Sequence, residues 1–231
     1  MAERDAIPRH VGIIVDGNRR WAKQHGLPAY EGHLAGHARL VEILPTLFKA
    51  GVEYVSLYVF STENWKRSED EVGRLMGLVT TMVTDDIKVF HEHQIKIRVL
   101  GTRDNLSSKV IESIEKAERD TAGYAKGTVA FCFNYGGQQE LVDAYKKLIQ
   151  SGVSADQVTP ELIEKNLYAP DIPPIDIIVR TSGEHRLSNF MLWRAAYSEL
   201  LFVDTLWPDM TKQDMSAILK TYARRHRRFG G

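Results

Sequence analysis

Short apolar runs alternate with longer amphipathic stretches along the whole of this 231-residue chain. The runs at 11–15, 54–60, 95–100, 129–133, 175–179 and 200–203 are rich in Val, Ile, Leu and Phe and are interrupted only by single polar residues. They predict strands covered on both faces, as in a parallel sheet. Between them apolar residues recur at helical spacing. The clearest stretch is 69–93, where Val72, Leu75, Met76, Val79, Met82, Val83, Ile87 and Phe90 form one stripe. Ser68 is its predicted N-cap, and Glu69, Asp70 and Glu71 suit its first turn. Ser107 caps a second helix to residue 122, Gly137 precedes a third at 138–150, and Thr159-Pro160 opens a fourth. Residues 34–50 read as a helix kinked at Pro45. Such alternation predicts an α/β fold: a single domain over 1–231 with a mostly parallel central sheet of six strands flanked by helices.

Charge adds little to this picture as a total, because 30 basic residues cancel 30 acidic ones. Any anionic ligand must therefore be met by local clusters, at Arg19-Arg20, around Arg180 and Arg186, and in the basic run that begins at Arg224. That last run lacks the stacking aromatics of a nucleic-acid surface, so no nucleic-acid partner is expected. A single cysteine, Cys132, excludes an internal disulfide and fits a reducing compartment. No apolar run reaches the length of a membrane span, and residues 1–9 lack a signal-peptide core, so a cytoplasmic location is expected.

Three polar segments follow predicted strands, where open α/β sheets bind ligands. The first, Asp16-Gly17-Asn18-Arg19-Arg20-Trp21-Ala22-Lys23, combines a flexible glycine, helix-start amides and three cations that together suit phosphate. Asp16 would repel such a ligand unless a divalent cation lay between them, which suggests Mg²⁺. A turn followed by a solvated basic helix is the plainer reading. The second segment, Ser61-Thr62-Glu63-Asn64-Trp65-Lys66-Arg67, offers hydroxyls, an amide and a guanidinium, or merely caps a helix entry. The third, residues 180–189, places Arg180, Arg186, Ser182 and Ser188 around Gly183 as a diphosphate clamp. Glu199, beside an apolar strand, needs either a metal or a salt bridge. His33 and His37 have helical spacing but no third metal ligand nearby, and the Walker, Rossmann, nucleophile-elbow and HExxH motifs are absent.

Taken together, residues 10–23, Gly32-His33, Ser61 to Arg67, Asn134-Tyr135-Gly136-Gly137 and the stretch 180–199 resemble the cis-prenyltransferases, the undecaprenyl diphosphate synthase family. The likeness continues through Trp207-Pro208 to the final Arg-Arg-Phe-Gly-Gly. It implies an Mg²⁺-dependent enzyme that condenses isopentenyl diphosphate with an allylic diphosphate, such as farnesyl diphosphate, in successive cis additions to a polyprenyl diphosphate. Undecaprenyl diphosphate, a lipid carrier for cell-wall synthesis, is the expected product. By resemblance Asp16 is catalytic and metal-associated, and Gly17, Asn18, Arg19, Arg20, Trp21 and His33 attend the allylic diphosphate. Ser61, Thr62, Glu63, Asn64, Trp65 and Arg67 form the substrate loop, with Asn64 matched to proton removal. Arg180, Arg186, Leu187 and Ser188 match the isopentenyl diphosphate site, and Glu199 a second metal ligand. The family also implies a homodimer closed by Arg228-Phe229-Gly230, an apolar tunnel for the tail walled by the 72–90 stripe, and peripheral membrane contact for product release. Two departures stand out: Ala29 where many members carry arginine, and Val59 where alanine is common. A short-chain synthase and a non-catalytic subunit of the same fold are the rival readings, and retention of Asp16, Asn18, Arg20, Asn64, Arg180 and Arg186 opposes the latter.

Overall fold

A computed structural model describes residues 7–225. Its centre is a six-stranded sheet in the order β3-β4-β2-β1-β5-β6, with every neighbouring pair parallel. The strands are β1 (His10–Ile14), β2 (Tyr54–Ser61), β3 (Ile95–Leu100), β4 (Gly127–Tyr135), β5 (Ile177–Arg180) and β6 (Glu199–Phe202). The helices are α1 (Asn18–Gln24), α2 (Ala29–Lys49), α3 (Glu69–Thr84), α4 (Ile87–His93), α5 (Ser108–Thr121), α6 (Gly137–Gln150), α7 (Pro160–Asn166) and α8 (Lys212–Ala223). All six expected strands form, with ends displaced by a residue or two where pairing, rather than apolarity, sets the boundary.

Strand alternation divides the core in two. Val11, Ile13, Val129, Phe131 and Phe133 join the larger cluster, which α2, α3, α4, α5 and α8 cover. Ile14, Ala130, Cys132 and Ile178 face the other side and meet Ile172, Ile175, Phe190 and Met191. Cys132, between Phe131 and Phe133 in β4, lies fully buried. Beyond this second face, α6 and α7 pack through Ala144, Leu148, Ile163 and Leu167. Helix α2 follows β1 on one face and α6 precedes β5 on the other, so the crevice opens where the winding reverses, at the carboxyl end of β1.

The helices depart from expectation in three places. The stripe at 69–93 is two helices, because the chain turns at Asp85 and Asp86 and a carboxylate oxygen of Asp86 meets His37 Nε2 of α2 at 2.6 Å. Both halves still bury their apolar side in the same core, so the periodicity survives the break. Helix α2 starts five residues before the expected position and runs through Pro45 as one element. Its early start places His33 on a helix, and Gly32 and Gly36 let α1 lie against it. A Cβ on Gly32 would sit 2.0 Å from the Asn18 carbonyl oxygen. Helix α8 is an addition, opened by the reciprocal cap of Thr211 and Asp214.

Candidate active site

The site begins where β1 stops. Gly17 has φ +108°, and a Cβ there would lie 2.9 Å from Leu206 Cδ2, so only glycine makes this turn without strain. Thr181 fixes the neighbouring peptide: its hydroxyl donates to the Asp16 carbonyl at 2.6 Å and accepts the Asp16 amide at 2.9 Å. The Asp16 carboxylate then has two donors, Arg180 Nη2 at 2.9 Å and the Gly17 amide at 2.7 Å. Burial alone would raise its pKa, but the hydrogen bond and charge of Arg180, with the Gly17 amide, outweigh burial and hold it below the ordinary carboxylate value. Arg180, whose side chain is only 5% exposed, also donates to Ser188 Oγ at 2.8 Å and to the Arg186 carbonyl. One buried guanidinium therefore ties the first loop to the third.

The second loop continues β2 into a 3₁₀ turn over Thr62–Lys66. Asn64 closes the turn by accepting the Ser61 amide through Oδ1 at 3.1 Å. Trp65 points behind the loop, donating to Asn134 Oδ1 at 2.7 Å and packing edge-on against Phe60. Arg67 meets Glu71 at 2.9 Å, and the same carboxylate lies 3.7 Å from His33 Nε2 and 3.8 Å from Arg19 Nε. Glu71 thus gathers three basic side chains from separate elements, a role hidden in the sequence behind its place in a first helical turn. The only sequence signal was its i, i+4 spacing from Arg67. His33 is pushed down to about 4, chiefly by burial and then by Arg67 and Arg19, so its imidazole is neutral near pH 7.

In the third loop Ser182, Ser188, Asn189 and Met191 all have positive φ, a concentration of left-handed backbone expected of a shaped binding loop. Glu184 lies between Arg20 of α1, at 3.4 Å, and Arg186 of its own loop, pairing two guanidinium groups from separate segments. Trp21 is turned outward to Asp209 and stacks on His25, while Leu187 packs into the second core cluster. Glu199 is not brought to Asp16 within this chain. It opens β6 opposite Ile177, at the other end of β5 from Arg180, and pairs with Arg225 at 2.8 Å. The expected closing segment, Arg228-Phe229-Gly230, lies outside the described residues.

A pocket of about 620 Å³ occupies the crevice. Asp16, Gly17, Asn18, Arg19, Arg20, His33, Ser61, Glu63, Asn64, Arg67, Arg180 and Ser188 line it, whereas Trp21, Thr62, Trp65, Arg186 and Leu187 stand behind or beside its wall. Ile14, Val15, Val59, Phe60 and Leu75 supply an apolar side, and Tyr58 and Asn189 complete the rim. Of the expected tunnel stripe only Leu75 reaches the pocket. Among the described residues no cluster of three or more metal-ligating side chains occurs. The Asp16 carboxylate amid phosphate-binding groups nevertheless fits Mg²⁺ held mainly by a substrate's diphosphate oxygens, and the buried, unpartnered Asn18 Oδ1 and Arg180 Nε leave polar capacity for such a ligand. Chemically, the arrangement suits a molecule with a polyanionic head and an apolar tail.

Known proteins agree with this geometry. Residues 14–230 match the family model described as putative undecaprenyl diphosphate synthase. A trans,polycis-polyprenyl diphosphate synthase from Thermobifida fusca, described as specific for (2Z,6E)-farnesyl diphosphate, is 45% identical over 99% of this chain and 82% of its own length. An isoprenyl transferase from Thermotoga maritima is 42% identical over 97% of each chain. In structure, lavandulyl diphosphate synthase from Lavandula x intermedia, solved with dimethylallyl diphosphate, superposes with a TM-score of 0.94 at 29% identity, covering 98% of this chain and 99% of that one. A head-group cradle joined to an apolar wall, at the carboxyl end of an all-parallel sheet, is what a transferase of isoprenyl groups requires, and this chain belongs to the undecaprenyl diphosphate synthase family of isoprenyl transferases.

Proposed function

We propose that the protein extends an allylic diphosphate, farnesyl diphosphate being the primer, with isopentenyl diphosphate in successive cis additions, and that undecaprenyl diphosphate is its product. The observation that carries this reading is the pairing of Asp16 with the buried Arg180, set between two anion-binding loops and opening onto Ile14, Val15, Val59, Phe60 and Leu75. Arg19, Arg20 and the neutral His33 hold the allylic head. Arg180, Arg186 and Ser188 hold the isopentenyl head, with the buried Arg180 supplying fixed charge where the ligand needs it. Leaving diphosphate gathers negative charge in the transition state, so donors already in place lower the barrier without reorganising. Mg²⁺, associated with Asp16 and the diphosphate oxygens, would add Lewis-acid stabilisation of that same charge. Asn64, at the turn of the second loop, is assigned to assist proton removal from the extending unit, the released diphosphate being the base that takes the proton, and the wall at Val59 and Leu75 receives the tail.

Ala29 bears on substrate binding. With Arg19, Arg20, Lys23, Gly26 and Leu27 it lines a neighbouring cavity of about 500 Å³, a space an arginine at this position would fill with charge. The allylic head therefore meets Arg19, Arg20 and His33 without the further charge an arginine at position 29 would add. The homodimer and a peripheral membrane contact belong to the same proposal. It is tested by incubating the purified chain with labelled isopentenyl diphosphate, Mg²⁺ and allylic primers of different length, then resolving product length and double-bond geometry. A ladder of cis products ending near eleven isoprene units (undecaprenyl) is expected. A short product would favour the short-chain reading suggested by Val59, and no product from any primer would favour a non-catalytic subunit.

A further inference from the structure

Asn189 stands where three segments meet: the loop bearing Ser188, the amino end of α6, and the turn at Thr62–Lys66. Its carbonyl accepts the Gly137 amide at 2.8 Å, and its side-chain Oδ1 accepts the Gln138 amide at 2.8 Å. These amides open α6, whose N-cap Gly136 has no side chain to offer, so the helix is capped from a distant part of the chain. The other end of the carboxamide faces the second loop, where Nδ2 donates to Glu63 Oε1 at 3.0 Å. Burial works against charge on Glu63, and the Asn189 donation, with hydrogen bonds inside the turn, outweighs it. Gly136 allows the junction to close: a Cβ there would lie 2.8 Å from both Asn189 Nδ2 and Thr62 Oγ1. Asn189 has φ 67°, a conformation that asparagine tolerates better than most side chains.

We propose that Asn189 is a positioning residue for prenyl transfer, locking the turn that carries Asn64 to the loop that carries Ser188 so that both substrate-facing loops close in one register. This rests on the isoprenyl-transfer reading of the pocket. A carboxamide suits the task because one end accepts from helix amides while the other donates to a carboxylate. Asn189→Asp separates these two functions. It keeps the size, the left-handed backbone and the α6 cap, but sets a carboxylate against Glu63.

The test compares wild type, Asn189→Asp, Glu63→Gln and the double variant. In Asn189→Asp, amide hydrogen exchange across residues 61–67 is expected to quicken, Tm to stay near wild type, and kcat/KM for isopentenyl diphosphate to fall about 10²-fold, as for a misplaced catalytic loop. The double variant reverses the polarity of the pair, with the carboxamide now on the second loop donating to the carboxylate on the third. Exchange is therefore expected to return to the wild-type rate whatever Glu63 itself contributes to turnover. Unchanged exchange in Asn189→Asp, or exchange in the double variant as fast as in the single, would overturn the lock. Quickened exchange with undiminished kcat/KM would overturn its role in positioning. Restored exchange in a protein whose wild type makes no prenyl product would leave the lock standing and sink the transferase reading instead.

Discussion

Asp16, just beyond β1, and Arg180, at the end of β5, neutralise each other in the pocket, so neither can be removed without consequence for its partner. Asp16→Ala would leave a guanidinium almost wholly buried without its carboxylate, mixing a loss of stability into any loss of activity. Asp16→Asn preserves the shape, and we expect it to lower kcat about 10²–10³-fold with the fold intact, as removal of one preorganised electrostatic group does. Chelator-sensitive product formation at the wild-type rate would refute the role. His10 makes a second prediction at this scale. Its Nδ1 donates to the Pro173 carbonyl and its Nε2 accepts from Ser56 Oγ, both at 2.8 Å, which fixes one neutral tautomer. Burial is the main cause that pushes its pKa down to about 4. The unfolded chain binds this proton more readily, so stability is full above the ordinary value near 6.5 and is lost as pH falls from there towards 4. The loss amounts to about 3 kcal/mol when complete. Calorimetry between pH 7 and 5 is expected to show a falling Tm before most carboxylates titrate, and a flat Tm would contradict it.

At the scale of elements, close approach decides more than propensity. Helices α1 and α2 touch through Gly32 and Gly36, and Gly32→Ala would drive a methyl into the Asn18 backbone. We expect it to destabilise the protein by about 3 kcal/mol or more, since backbone at this junction cannot yield as a side chain would. Denaturant titration would measure this, and a midpoint equal to wild type would show that the helices can separate freely. Along β2, Val59 lines the pocket beside Tyr58 and Phe60. Val59→Ala removes two methyl groups from that wall, so chromatography of its products is expected to show longer chains. An unchanged distribution would move chain termination to another part of the wall, with Leu75 of α3 the nearest candidate.

For the whole molecule, the surface feature with the largest consequence is the β6 edge of the sheet. Among the described residues β6 pairs on one side only, and Leu200 within it and Tyr197 just before it are 39% and 73% exposed. An exposed apolar edge strand invites a second chain. We therefore expect Leu200→Glu to convert the proposed homodimer to a monomer in sedimentation velocity, and a persisting dimer would put the interface elsewhere. Glu199 lies at this edge with Arg225, so any metal-binding role for it depends on what the assembly brings to that edge and not on the fold of one chain.

The class of fold is legible in local pattern, because six buried runs alternating with amphipathic stretches bury both strand faces as a helix-covered parallel sheet. The sequence by itself also determined most of the chemistry, since Asp16, Arg19, Arg20, Asn64 and Arg180 all follow strands whose carboxyl ends converge. Tertiary structure alone decided which of these meet. Glu71, already four residues from Arg67, meets Arg19 and His33 only because packing brings α1 and α2 to the start of α3, and Asn189 joins Glu63 to α6 only because three loops close on one point. The turn at Asp85 and Asp86, with Asp86 set against His37, interrupts a stripe whose spacing continues undisturbed. Glu199 is separated from Asp16 by the sheet register. Periodicity and spacing record which face of an element is buried, whereas the position of a charge relative to another far along the chain is set by packing, which no local pattern encodes.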